Sequence, residues 1–306
     1  MTLKHVLSTK QFLDPKILHE LFALTAKIEK QEAACTLKRS LEGKILATLF
    51  YEPSTRTRFS LEAAMLKLGG EVISTENAGQ FSSAIKGETI EDTIRIISSY
   101  VDAIAMRHNV EGSAKIAASV STVPILNGGD GAGEHPTQAL LDAYTIKKEL
   151  GTISGLTIAV AGDLLYGRAS RSLINLLSHH KNEIYLVSPP QLRFPEEHKK
   201  TYGNGVKFKE FSDLKDVAAD VDMLYMTRIQ RERFPNVSDY QKLKGSYILD
   251  AKIVKMMKKN SIIMHPLPRV DEINRDVDTD PRAAYFRQAR NGLFIRMALL
   301  QTILGK

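Results

Sequence analysis

Short, nearly unbroken apolar runs alternate along this chain with stretches of helical period, and that alternation constrains the fold more than any other feature. Residues Ile45-Leu46-Ala47-Thr48-Leu49-Phe50, then 71–74, 103–106, 123–127, 156–160, 183–187, 222–226 and 261–264, are too short for helices. Most are also too continuously apolar for strands with one wet face. Strands buried on both faces and linked by helices are parallel. The pattern predicts an α/β fold of two domains, each a mainly parallel sheet flanked by helices, joined by interdomain helices. Gly151 to Gly155 marks the joint, because the pattern restarts beyond it. The first domain is expected over 1–149, with the amphipathic C-terminal helix 290–306 packing back onto it, and the second over 150–289. At 306 residues, 43% of them hydrophobic, the chain can fill two cores.

The chemistry gathers where these runs end. After residue 50 comes Tyr51-Glu52-Pro53-Ser54-Thr55-Arg56-Thr57-Arg58-Phe59, leading into a helix over 59–68 that Gly69-Gly70 stops. A strand-to-helix turn carries free amides and the positive end of the helix dipole, and here it also carries three hydroxyls and two arginines. It reads as a phosphate cradle. Ser54 or Thr55 as a plain helix cap, with both arginines solvated, is the competing reading. No Walker pattern is present, and the glycine run 128–133 lacks dinucleotide-binding spacing.

The next strands deliver further polar ends. Residues 103–106 lead to Arg107-His108, and 123–127 lead through the glycines to His135-Pro136-Thr137-Gln138, where Pro136 suits a first helical turn. His135 and Gln138, three apart, are suited to one side of a helix start. Earlier in the chain, after the run 71–74, lies a polar segment, 77–89, with two glycines, read as a mobile functional loop. In the second half, strands end at Arg168, at Thr227-Arg228-Ile229-Gln230 and at His265-Pro266-Leu267-Pro268-Arg269. Arginine at all three ends points to a convergent carboxylate site.

Composition removes other classes. The single Cys35 rules out an intrachain disulfide and a cysteine metal site, suits a reducing compartment, and reads as a small buried hydrophobe. No HExxH helix or ligand cluster suggests a metal, and no cofactor is implied. A formal charge of +7 is spread through the chain among acidic residues, with only 7% aromatics, which argues against a nucleic-acid platform. A small anionic substrate accounts for it as well. The N-terminus lacks a signal-peptide core and no stretch is long enough to span a bilayer, so the chain reads as soluble and cytoplasmic.

Ser54-Thr55-Arg56-Thr57-Arg58 with His135-Pro136-Thr137-Gln138 closely resembles the signature of the aspartate/ornithine carbamoyltransferase family. Thr227-Arg228-Ile229-Gln230 and His265-Pro266-Leu267-Pro268-Arg269 resemble the catalytic chain of its aspartate-specific members, over nearly the whole length. The resemblance implies transfer of the carbamoyl group of carbamoyl phosphate to the amino group of L-aspartate, in pyrimidine biosynthesis. It implies that carbamoyl phosphate binds first, in the 1–149 domain, and that aspartate then enters between the domains.

By the same resemblance Ser54, Thr55, Arg56, Thr57 and Arg107 hold the phosphate. Thr57, Arg107 and His135 contact the carbonyl oxygen. Gln138 and the backbone carbonyls of Leu267 and Pro268 take the carbamoyl amino group. Arg168, Arg228 and Gln230 hold the aspartate carboxylates, and Ser82 and Lys86 reach into the site of a neighbouring subunit in a homotrimer. Glu52 pairs with Arg168 and Arg233 on domain closure. Some relatives also bind a zinc-containing regulatory chain. Ornithine-specific members usually carry cysteine in the stretch matching 265–268, where this chain has proline; ornithine transfer is the alternative. A non-catalytic anion- or nucleic-acid-binding protein, supported by charge alone, is the more distant one.

Overall fold

The computed structural model describes residues 3–305 apart from 82, 203–205, 232, 233, 235, 244 and 246. The apolar runs form strands β1 (Ile45–Phe50), β2 (Glu71–Glu76), β3 (Ala103–His108), β4 (Ile125–Asp130), β5 (Thr157–Ala161), β6 (Glu183–Val187), β7 (Lys207–Phe211), β8 (Met223–Met226) and β9 (Ile262–Met264). They make two parallel sheets flanked by helices, ordered β2-β1-β3-β4 and β7-β6-β5-β8-β9. β7 was not expected. Its sequence, Lys207-Phe208-Lys209-Glu210-Phe211, has only two apolar residues, which pack against opposite buried clusters, and three charged ones that the exposed edge of the sheet tolerates.

The chain divides into two compact units, Met1–Leu140 with Arg290–Lys306, and Leu141–Ala289. The boundaries fall inside the helices Pro136–Leu150 and Tyr285–Leu304. In the first unit the helix Pro15–Ala33 is opened by Asp14, whose carboxylate accepts from the Lys16 amide at 2.8 Å, with Pro15 in the first turn. The helix Thr55–Lys67 stops at Gly69, which has φ 89°; a Cβ there would lie 2.6 Å from that of Arg39. Val6 pairs onto the free edge of β4, donating to Ile125 and accepting from Asn127, each at 2.8 Å.

In the second unit alternate residues of the central strands go to opposite faces. Ala159, Leu224 and Ile263 join one buried cluster, and Ile158, Val160, Met223, Tyr225, Ile262 and Met264 the other. A sheet covered on both faces needs apolar side chains at every position, which is why these strands read as continuous runs. Burial of such side chains contributes roughly 1.5–3 kcal/mol each.

Two expectations give way. Cys35 is exposed, at φ 54° just past the end of the first long helix, because it sits on the helix C-terminal turn and not on the apolar stripe. The segment 77–89 contains helical turns, Ala78–Phe81 and Ser83–Lys86, and Thr89 caps the helix Ile90–Ile97 by accepting from the Asp92 amide at 3.1 Å. No helix among the described residues is long and apolar enough to cross a membrane.

Candidate active site

In the first unit the strand order reverses between β1 and β3, and ligands bind at the carboxyl ends of strands at such a switch point. Phe50 is in register with Arg107, and the Tyr51 amide donates to the Arg107 carbonyl at 2.8 Å, so the cradle starts level with Arg107. The helix Thr55–Lys67 begins within four residues of that point, with its first amides unused by the helix itself. Ser54 occupies the N-cap position, yet its side chain makes no capping bond. Capping therefore does not explain this hydroxyl. Thr57 is buried, whereas Thr55 and Arg56 are exposed. Arg107 donates through Nη1 to the Gly128 carbonyl at 3.3 Å and pairs through Nη2 with Glu52 Oε2 at 3.3 Å. β4 comes close here because residue 128 is glycine: a Cβ would stand 3.1 Å from the Met106 carbonyl oxygen and 3.5 Å from Thr57 Cγ2.

The second arginine of the motif points elsewhere. Arg58 donates to Glu76 Oε2 at 2.9 Å and to Ser74 Oγ at 3.1 Å, with Glu62 Oε1 at 3.8 Å. Ser74 and Thr48 donate in turn to Glu62 at 2.6 and 2.9 Å. Arg58 thus fastens the helix Thr55–Lys67 to β2.

His135 and Gln138 open the helix Pro136–Leu150, the His135 carbonyl accepting from the amides of Gln138 at 3.0 Å and Ala139 at 3.1 Å. Both side chains are buried. The preceding turn is held from two sides that sequence reasoning missed. The Glu134 carboxylate accepts from Ser8 Oγ at 2.6 Å and from the Thr9 amide and hydroxyl at 2.7 Å each. Asp130 accepts from the amides of Gly112 at 3.0 Å and Glu134 at 2.9 Å. His108, next to Arg107, is structural: burial lowers its pKa, its Nδ1 accepts from the Val110 amide at 3.0 Å, and its ring lies 4.6 Å from that of Tyr51.

The second unit has its own switch point, between β5 and β8. Gly162 permits the two loops to meet; a Cβ there would fall 2.2 Å from the Thr227 carbonyl oxygen. Asp163, fully buried, receives the Tyr166 amide at 2.9 Å and both the backbone and side-chain N–H of Gln230 at 3.4 Å. Burial pushes the Asp163 carboxyl up, against the pull of those donors. Arg168 begins the helix Arg168–Leu177, and Arg228 is half-buried beside a cavity of about 350 Å³ also lined by Thr227, Arg231, Tyr240 and Asp271. After β9 the Leu267-Pro268 bond is cis and Leu267 has φ 54°. Arg269 departs from the carboxylate-site expectation: its guanidinium is gripped by Asp278, which Tyr285 also bonds. Lys86 is exposed in the first unit. Ser82 and Arg233 lie outside the described residues. Among the described residues no group of three or more His, Cys, Asp or Glu could hold a metal ion.

Residues 4–148 match the family described as aspartate/ornithine carbamoyltransferase, carbamoyl-P binding domain, and residues 154–303 its Asp/Orn binding domain. The chloroplastic aspartate carbamoyltransferase of Arabidopsis thaliana is 53% identical over 305 residues, covering 99% of this chain and 78% of that protein. The crystallised catalytic subunit of M. jannaschii aspartate transcarbamoylase is 48% identical, with a TM-score of 0.91 over 99% of this chain and 98% of that one. Aspartate transcarbamoylase from Trypanosoma cruzi in complex with carbamoyl phosphate and aspartate is 40% identical, with a TM-score of 0.93 over 99% and 98% of the two chains.

Proposed function

Since this chain belongs to the aspartate/ornithine carbamoyltransferase family, we propose that the loops at its two switch points share one reaction between them. The chain is a carbamoyl-transferring enzyme of the aspartate kind. It converts carbamoyl phosphate and L-aspartate to N-carbamoyl-L-aspartate and phosphate. The near-full-length match to aspartate-specific relatives carries this reading over ornithine transfer. Arg168 and Arg228, at the ends of neighbouring strands, suit a dicarboxylate and would oppose an ornithine side chain.

Ser54, Thr55, Arg56 and Thr57, with the first amides of their helix, bind the phosphate of carbamoyl phosphate. Arg107 bridges that phosphate and the carbonyl oxygen, and His135 and Thr57 donate to the same oxygen. Attack of the aspartate amine on the carbamoyl carbon forms the C–N bond and drives negative charge first onto this oxygen, then onto the leaving phosphate. Donors fixed at both places stabilise charge that grows in the transition state. The departing phosphate can take the amine proton. Gln138 and the carbonyls of Leu267 and Pro268 orient the carbamoyl amino group. Arg168, Arg228 and Gln230 hold aspartate, Gln230 being steadied by Asp163. Binding of the phosphate at Arg107 draws that arginine away from Glu52, which frees Glu52 for a second partner as the site fills.

The pathway is pyrimidine biosynthesis and the compartment the cytoplasm. The deciding experiment follows carbamoyl phosphate consumption with aspartate and with ornithine side by side; turnover with ornithine alone overturns the reading. The assembly is a homotrimer in which Lys86, exposed on its turn, serves the next subunit. Mixing inactive Arg56→Ala and Lys86→Ala subunits should then restore about a quarter of wild-type activity, since with random assembly each donor is the right one about half the time. A mixture as inactive as its parents after verified subunit exchange excludes shared sites.

A further inference from the structure

Buried polar side chains of the second unit join into one array that ends on the loop after β9. Tyr225 Oη on β8 donates to Asp142 Oδ2 at 2.7 Å, and Gln288 Nε2 donates to Asp142 Oδ1 at 2.6 Å. Gln288 Oε1 accepts the His265 amide at 2.9 Å. The Leu267 amide donates to His265 Nδ1 at 2.8 Å, so the neutral ring carries its proton on Nε2, 2.7 Å from Glu272 Oε1. Glu272 Oε2 accepts from the amides of Val270 at 3.1 Å and Asp271 at 3.2 Å. All of these side chains are buried.

A buried array satisfied along its length is stiff, and removing a member leaves the others without partners. Burial alone would raise the Glu272 pKa; His265 and the surrounding amides outweigh it and hold the carboxyl below its ordinary value, so it is ionised at neutral pH. Its two oxygens leave room for donors only. With Nε2–H committed to Glu272, Nδ1 must accept, and it accepts the Leu267 amide. In the other tautomer two N–H groups would face each other there, and the peptide would have to rotate. Leu267 stands in the left-handed region, which a branched side chain does not adopt unaided, so the loop needs such a clamp.

We propose that Glu272 and His265 are positioning residues for carbamoyl transfer: Glu272 fixes the His265 tautomer, His265 clamps the Leu267 amide, and the clamp aims the Leu267 and Pro268 carbonyls at the carbamoyl amino group. This rests on the assignment of those two carbonyls above.

The test compares binding of carbamoyl phosphate with that of inorganic phosphate, which has no amino group, by calorimetry, together with steady-state kinetics. Glu272→Gln places an NH2 against N–H donors whichever way it turns. Carbamoyl phosphate affinity should fall about tenfold, and kcat by at least as much, while phosphate affinity stays within about twofold. His265→Asn keeps an acceptor two residues before Leu267, the geometry of an Asx-turn, and has no tautomer to fix. It should remain within about threefold of wild type in carbamoyl phosphate affinity, and adding Glu272→Gln to it should change little further. Equal losses for both ligands, no loss at all, or the same penalty from Glu272→Gln in either background overturns the proposal. Should Glu272→Gln fail to fold, His265→Asn against His265→Leu decides the matter, since only the latter should lose affinity for carbamoyl phosphate selectively. Failure of the wild type to consume carbamoyl phosphate with aspartate would instead overturn the function. Wild-type affinity no greater for carbamoyl phosphate than for phosphate would overturn the carbonyl assignment.

Discussion

Replacing Arg58 by methionine separates the two arginines of the cradle motif, which sequence reading had grouped together. The guanidinium lies 2.9 Å from Glu76 and 3.8 Å from Glu62, with the Arg58 side chain 16% exposed. At an effective dielectric constant of about 20 the attraction to Glu76 alone is of order 6 kcal/mol before desolvation is charged against it. Desolvation and residual solvent reduce that to a net loss of about 2 kcal/mol on removing the cation, because two carboxylates are left facing each other. Methionine retains an apolar stem near the Phe59 ring, over which the guanidinium stands at 5.0 Å, so packing changes little. A urea titration should show the midpoint falling by roughly 1 M at unchanged slope. Calorimetry with carbamoyl phosphate should show affinity within about threefold of wild type, whereas Arg56→Met, losing charge-assisted bonds to the phosphate, should lose about 30- to 100-fold. Arg58→Met matching Arg56→Met in lost affinity, with stability intact, would refute the assignment of Arg58 to the scaffold.

Arg107→Ala and His135→Ala should each lower kcat by about 10²–10³ with smaller effects on aspartate affinity, as steady-state kinetics at saturating carbamoyl phosphate would show. Arg228→Ala should raise the aspartate KM while leaving binary carbamoyl phosphate binding nearly intact by calorimetry; the reverse pattern means the two units have exchanged roles. Bonds from Arg269 and then Tyr285, against the opposing effect of burial, hold Asp278 below the ordinary 3.8. A depressed carboxyl stabilises the fold above its unfolded pKa and ceases to as pH falls through the folded one, so the wild-type advantage in Tm over Asp278→Asn should be full at about pH 6 and fade below about pH 4.

The sheets were legible because burial on both faces forces an apolar residue at each position of a central strand, as at Ile158, Ala159 and Val160. β7 escaped because Lys207, Lys209 and Glu210 break any apolar run and its two phenylalanines, on opposite faces, give no period of two. At the site, what could be read was the local chemistry: Ser54 at a helix start, Arg107 at a strand end, His135 before Pro136. What could not be read was the direction of an arginine. Arg58 shares the first turns of one helix with Arg56, and Arg269 sits in the same kind of loop as Arg228; only Glu76 and Asp278, distant in sequence or unremarkable in it, show that Arg58 and Arg269 are structural. Glu134, Asp130 and Asp163 were invisible for the same reason, since their partners are set by the tertiary fold.

The first unit is discontinuous, closed by residues 290–306 after the whole of the second has intervened, and this sets an order on synthesis. During translation the cradle and the His135 turn emerge before the second unit, yet the segment bearing Phe294, Ile295, Met297 and Leu300, all fully buried in the finished protein, is made after it. Translating residues 141–289 occupies on the order of ten to thirty seconds. For that interval the nascent first unit lacks its closing segment and the Thr137 hydroxyl lacks the Arg296 guanidinium that donates to it at 3.3 Å. The second unit, contiguous in sequence, can complete its core before the first one does. The half of the enzyme that starts first on the ribosome is therefore the half that finishes last.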